Sequence, residues 1–282
     1  PNGDFQVIST DHLRGFIADP GLMTRIAAVH ALGDVWAMGA QPQVGLASII
    51  LPQMSADLQR RTLLEITKVA TEVLNAAGAQ LVGGHTTMGA ELTIGFTVTG
   101  TKNSMPLTIA GAKHGDALIL TRPIGSGVIL AADMLGQAEG HNVAATLAIM
   151  GQPQDCEAAV LSTVAHAMTD VTGFGLAGHV HAMCQASGLD AHLFQDAIPT
   201  YPGARALSDA GVSSTLMPEN YTDTPVNGLH DALLYDPQTA GGLLASVPKI
   251  QSAAVIEALG ALGCSGHVIG RLSKGTGRVC LS

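Results

Sequence analysis

The sequence predicts an α/β protein of two domains. Strand-length apolar runs alternate with segments of helical period along the whole chain. Charged residues make up 12% and aromatics 3%, against 34 glycines, a composition that lets helices pack closely on sheets. A polar connection at 102–113, punctuated by Pro and Gly, splits the pattern into domains 1–105 and 106–282, each long enough for a core of its own.

The first half reads as a strand at 6–10, ending near Asp11, and a helix at 22–38 that Gly39 stops. A strand at 44–51 follows. Ser55 can cap a second helix that closes near Gly78. Strands at 79–82 and 92–99 complete this half. The second half opens with a strand at 117–121 and helices within 127–135, 142–150 and 155–168. A helix after Asp170 ends near Ser187, and a strand at 191–194 and a helix at 202–210 follow. Residues 213–235 are predicted to be mostly irregular, and long loops of this kind are often functional. The chain closes with a strand at 243–247, a helix at 250–262 and strands at 267–272 and 279–281.

Bulk properties exclude several classes. A net charge of −9 without a Lys/Arg cluster argues against a nucleic-acid surface or an anionic membrane. No apolar run approaches the ~18 residues that a bilayer span needs. Cys156, Cys184, Cys264 and Cys280 form no Cys-x-x-Cys pair and read as buried thiols of a cytoplasmic protein. The chain starts at Pro1 with a strand almost at once, which reads as a piece of something longer.

Four constellations carry chemistry. The segment 170–179 places Asp170 and Thr172 before Gly173, Gly175 and Gly178 where an apolar run passes into a helix. Its Gly-x-Gly-x-x-Gly admits a dinucleotide reading, with Asp196 roughly 20 residues further on. Against that, residues 167–172 are too polar for a central parallel strand. A carboxylate ahead of a glycine turn at a helix N-terminus suits a metal-bridged phosphate better. His30 and Asp34, spaced i, i+4, share a face of an otherwise apolar helix, and the neighbouring Gly33 suggests a close approach there. Gly83, Gly84, His85 and Thr86 follow an apolar strand end and can offer amides and side-chain donors to an anion. Asp236, Pro237, Gln238, Thr239, Ala240, Gly241 and Gly242 form a further polar, glycine-rich entry to a strand, compatible with a turn or a ligand contact. No Walker-type phosphate loop, His-Glu-x-x-His or Gly-x-Ser-x-Gly occurs.

In this order the motifs resemble the selenophosphate synthetases (selenide, water dikinases) of the AIR-synthetase-like superfamily. The resemblance rests on 7–11, 25–39, 83–86, 170–179 and 236–244 and spans essentially the whole chain. It implies an α+β fold: an N-terminal mixed sheet with helices, whose strands form a barrel shared by a homodimer, and a C-terminal α/β sandwich. It implies phosphoryl transfer from ATP to selenide, giving selenophosphate, AMP and orthophosphate. Asp11, His30, Asp34, Gly83, Gly84, His85 and Thr86 align with nucleotide-contacting positions, and Asp34 and Asp170 with magnesium ligands. The family's reactive Cys and nearby Lys would precede Pro1, so no catalytic residue is assigned and the isolated chain is expected to be inactive. His30 and the 83–92 and 213–220 segments resemble forms fused behind a pyridine-nucleotide oxidoreductase. A thiamine-monophosphate-kinase-like enzyme of the same superfamily, or a non-catalytic dimerisation module of a fusion protein, are the alternatives.

Overall fold

A computed structural model describes residues 4–282, which form two compact units: 4–106 with 151–155, and 107–150 with 156–282. The first contains β1 (Phe5–Arg14), α1 (Pro20–Ala37), β2 (Gln41–Pro52), α2 (Ala56–Ala76), β3 (Gln80–Gly89) and β4 (Thr93–Lys102). Its sheet has the order β1-β4-β2-β3, antiparallel except for the β2/β3 edge. Asp19 caps α1 by accepting the Leu22 amide, and Ser55 caps α2 by accepting that of Leu58.

Helix α1 is buried on nearly every side, from Met23 to Trp36, as expected for a helix that is apolar all round. It packs on β1 and β4, and α2 lies against it through Ile66, Ala70, Val73 and Leu74. Alternation sends Val7, Phe96 and Ile94 inward to α1 and leaves Ile8 (66% exposed) and Leu46 (46% exposed) on the opposite face.

The second unit contains β5 (Ala117–Leu120), α3 (Ser126–Met134), α4 (Gly140–Met150), α5 (Asp155–Leu161, whose first residue groups with the first unit), β6 (Ala167–Asp170), α6 (Gly175–Ser187), β7 (Leu189–Leu193), α7 (Ala204–Asp209), α8 (Met217–Asp223), β8 (Val226–Gly228), β9 (Leu243–Val247), α9 (Ser252–Ala261), β10 (His267–Lys274) and β11 (Val279–Leu281). The sheet order is β6-β9-β5-β10-β7-β11-β8. Leu118 and Leu120 of β5 join Val128, Ile129, Leu176 and Val180 in the main core. The alternate residue Ile119 is buried near Leu259 of α9, where Gly266 leaves room between them. Both faces of this sheet are therefore covered at its centre.

Four sequence expectations need correction. The strand at 6–10 runs on to Arg14, so Asp11 lies within β1 rather than at its end. Residues 83–86 do not follow the strand's end: β2 offers an unpaired edge, and the segment pairs with it as the middle of β3. The helix expected at 155–168 stops at Leu161, because Ala167, Met168, Thr169 and Asp170 pair with β9 as an edge strand. Residues 213–235 hold α8, β8 and a 3₁₀ turn at Ala232–Tyr235; β8 is recruited by the open edge of β11, a long-range pairing that composition does not reveal.

Candidate functional site

In the first unit, three of the singled-out residues converge. Ser9 and Asp11, two apart on β1, face α1, where His30 and Asp34 lie one turn apart. The Ser9 hydroxyl donates to Asp34 Oδ2. His30 Nε2 stands 3.9 Å from Asp11 Oδ1, too far for a hydrogen bond. Partial burial, then the charge of Asp34 and a hydrogen bond with it, push the Asp11 carboxyl up to about 6, against the lowering effect of Ser9. Burial holds His30 below its ordinary value, against the pull of Asp34. Two carboxylates thus lie side by side, an arrangement that a hard cation would relieve. Ser9 was not singled out in the sequence, although its strand period with Asp11 was a legible signal.

Gly83, Gly84, His85 and Thr86 are not gathered with this cluster. Gly84 occupies the same cross-strand row as Asp11, through Phe96 and Ala47, but at the opposite edge of the sheet. Three strand spacings separate them, roughly 14 Å. Glycine is required at 84 because a Cβ there would collide with the Ala47 carbonyl. His85 lies on the face away from α1, in one row with Ser48, Gly95 and His12.

In the second unit, Asp170 is buried at the end of β6, in register with Leu243. The chain then turns, with the Gly175 amide donating to the Thr172 carbonyl at 3.0 Å, and α6 begins without a side-chain cap. The Thr172 amide donates to His179 Nε2 at 2.9 Å, so α6 itself fixes the loop. Gly175 has a φ of 69°, and a Cβ there would press on the Leu234 carbonyl and Tyr235. β6 is a short antiparallel edge strand rather than the central parallel strand of a dinucleotide fold, which removes that reading of the glycines.

The segment 236–243 braces this loop. The Gln238 amide donates to the Thr172 carbonyl at 3.0 Å and the Val171 amide to the Gly242 carbonyl at 2.9 Å. Gln238 Oε1 accepts the Gly125 and Ser126 amides, and Asp236 Oδ2 accepts that of Gly127, so both cap α3 from more than 100 residues away. Burial pushes the Asp236 carboxyl up to about 7, with the Val128 and Gly127 amides and Gln238 opposing. Arg122 Nη1 donates to the Ala240 carbonyl at 2.8 Å. The last two contacts had no sequence signal. Among the described residues, no group of three or more His, Cys, Asp or Glu is assembled to hold a metal.

The chain matches the AIR synthase related protein family in two parts, the N-terminal domain over residues 1–101 and the C-terminal domain over 113–280. The selenide, water dikinase of Bdellovibrio bacteriovorus is 33% identical over 96% of this chain and 80% of its own length. That of Aeromonas hydrophila is 34% identical, over 98% and 81%. The chain belongs to the selenide, water dikinase family. The likeness to solved structures is one of fold. Thiamine-monophosphate kinase from Stenotrophomonas maltophilia superposes with a TM-score of 0.78 at 19% identity, over 99% of this chain and 85% of that one. Hydrogenase maturation protein HypE, in complex with ATP, gives 0.72 at 19%, over 98% and 81%.

Proposed function

We propose that this chain acts in ATP-dependent phosphoryl transfer to selenide, yielding selenophosphate, AMP and orthophosphate. The observation that carries the reading is the Asp11/Asp34 pair, two carboxylates held side by side with Asp11 pushed up to about 6. Magnesium is bound characteristically by one or two carboxylates together with substrate phosphates, so this donor set fits it without a third protein ligand. Asp34, oriented by Ser9, would hold a magnesium ion in the first unit, and Asp170 would hold another in the second. Magnesium, when bound, would neutralise charge on the phosphate oxygens. The loop after Asp170 would present α6 amides to a phosphate, with His179 holding that loop.

The remaining nucleotide-contacting set, Gly83, Gly84, His85 and Thr86, lies at the far edge of the first sheet. A homodimer that sets this edge of one protomer against the Asp11 edge of its partner would bring the two sets together. The uncovered sheet face with Ile8 and Leu46 supports such a homodimer.

Calorimetry of ATP with magnesium tests the assignment. The chain should bind the nucleotide only in the presence of magnesium, and Asp34→Asn or Asp170→Ala should each weaken binding at least about tenfold, or 1.4 kcal/mol. Binding unchanged in both variants refutes the site. A folded dimer that binds no nucleotide would instead favour the dimerisation-module reading. Phosphorus NMR with selenide tests the reaction itself: the chain by itself should give little or no selenophosphate and AMP, and full selenide-dependent AMP release would overturn that expectation.

A further inference from the structure

A pocket of about 460 Å³ opens on the second unit, on a part of the sheet that the proposed reaction does not use. Its walls come from β10, β7, the segment before β5 and the start of α9; β10 is three strands away from β6 and Asp170. Arg271 and His192 are direct cross-strand partners on one face, and the Ser273 hydroxyl meets His192 Nε2 at 3.2 Å, fixing that ring. Lys249 and His114 complete the polar rim, and Phe194 with Val268 supplies an apolar wall. Ser252, at the start of α9, completes the lining, its amide engaged by the Lys249 carbonyl in the preceding 3₁₀ turn.

The only carboxylate lining the pocket belongs to Asp116, and it is already engaged. Its Oδ2 receives the Lys113 amide at 2.8 Å and the Ser246 hydroxyl at 2.6 Å, and meets His166 Nδ1 at 2.8 Å. The chain carries 13 Lys and Arg against 22 Asp and Glu, so two cations and two histidines around one cavity reverse the sign of the surrounding protein. We propose that this pocket is a second binding site, separate from the nucleotide site, for a small organic phosphate. The phosphate would lie between Arg271 and Lys249, with its apolar body on Phe194.

Phenyl phosphate is a suitable probe, titrated into the 282-residue chain and followed by the imidazole NMR signals of His114 and His192. The expected result is a saturable shift of both with a Kd of about 1 mM or tighter, and inorganic phosphate about tenfold weaker for want of the apolar body. Arg271 and Lys249 are exposed, so the double variant Arg271→Gln, Lys249→Gln should keep the fold and weaken binding at least about tenfold. Asp170→Ala should leave this titration unchanged, which separates it from the nucleotide reading. Absence of a saturable shift, or unchanged affinity in the double variant, overturns the proposal.

Discussion

Ala240 is the non-glycine residue with positive φ among the described residues, at 48°, and it is buried with its carbonyl bonded to Arg122. A left-handed alanine costs about 1–2 kcal/mol, while glycine adds about 0.4–1 kcal/mol of unfolded-state entropy. Ala240→Gly should therefore leave stability unchanged or raise it by up to about 1 kcal/mol in urea unfolding. A loss larger than that would mean that Arg122 does not hold a strained turn. Asp236 makes a prediction of opposite character. Its carboxyl stands near 7 in the fold against 3.8 in the free chain, so the folded state keeps the proton longer. The stabilising contribution is complete below pH 3.8 and fades as pH rises through about 7, with a slope of at most about 1.4 kcal/mol per pH unit. Asp236→Asn should flatten stability between about pH 4 and 7, the window between the two values. Some slope should persist, because Asp11, raised to about 6, contributes with the same sign. Equal slopes in both proteins would show that Asp236 titrates normally.

At the scale of elements, the entry to α6 depends on one glycine. Gly175→Ala would place a Cβ against Leu234 and Tyr235 in a left-handed backbone, at a cost of about 2–3 kcal/mol. Hydrogen exchange should then rise at Thr172 and along the first turn of α6, and an unperturbed loop would contradict the role assigned to this contact. Gly173, with nothing near its would-be Cβ, should accept alanine far better. The contrast shows what a motif conceals: its three glycines are equivalent in the sequence and unequal in the fold. The same holds for strands. The alternation at 92–99 predicted β4 closely, because its pattern is local. Residues 83–86 read as lying beyond a strand end because two glycines follow an apolar run, and only the free edge of β2 draws them into β3. The edge strand β6 was lost in a helix for the same reason, since its partner β9 lies more than 70 residues away.

For the whole molecule, the decisive property is the first unit's sheet face with Ile8 and Leu46 exposed. The proposed homodimer should sediment at twice the 28.7 kDa chain mass, and Ile8→Glu with Leu46→Glu should return it to the single mass. Dimers that survive both charges would place the interface elsewhere. The sequence by itself determined the two-part α/β plan, most helices and strands, the caps at Ser55 and Gly39, and the family resemblance, because these depend on local period and on motif order. It also identified Asp11, Asp34 and Asp170 as candidates. Only the tertiary structure set Asp11 beside Asp34 under Ser9, separated them from Gly84 by the width of a sheet, and braced the Asp170 loop with Gln238 and His179. Those relations join residues up to about 70 positions apart, and their energies arise from burial and hydrogen bonding that exist only once the strands have chosen their neighbours.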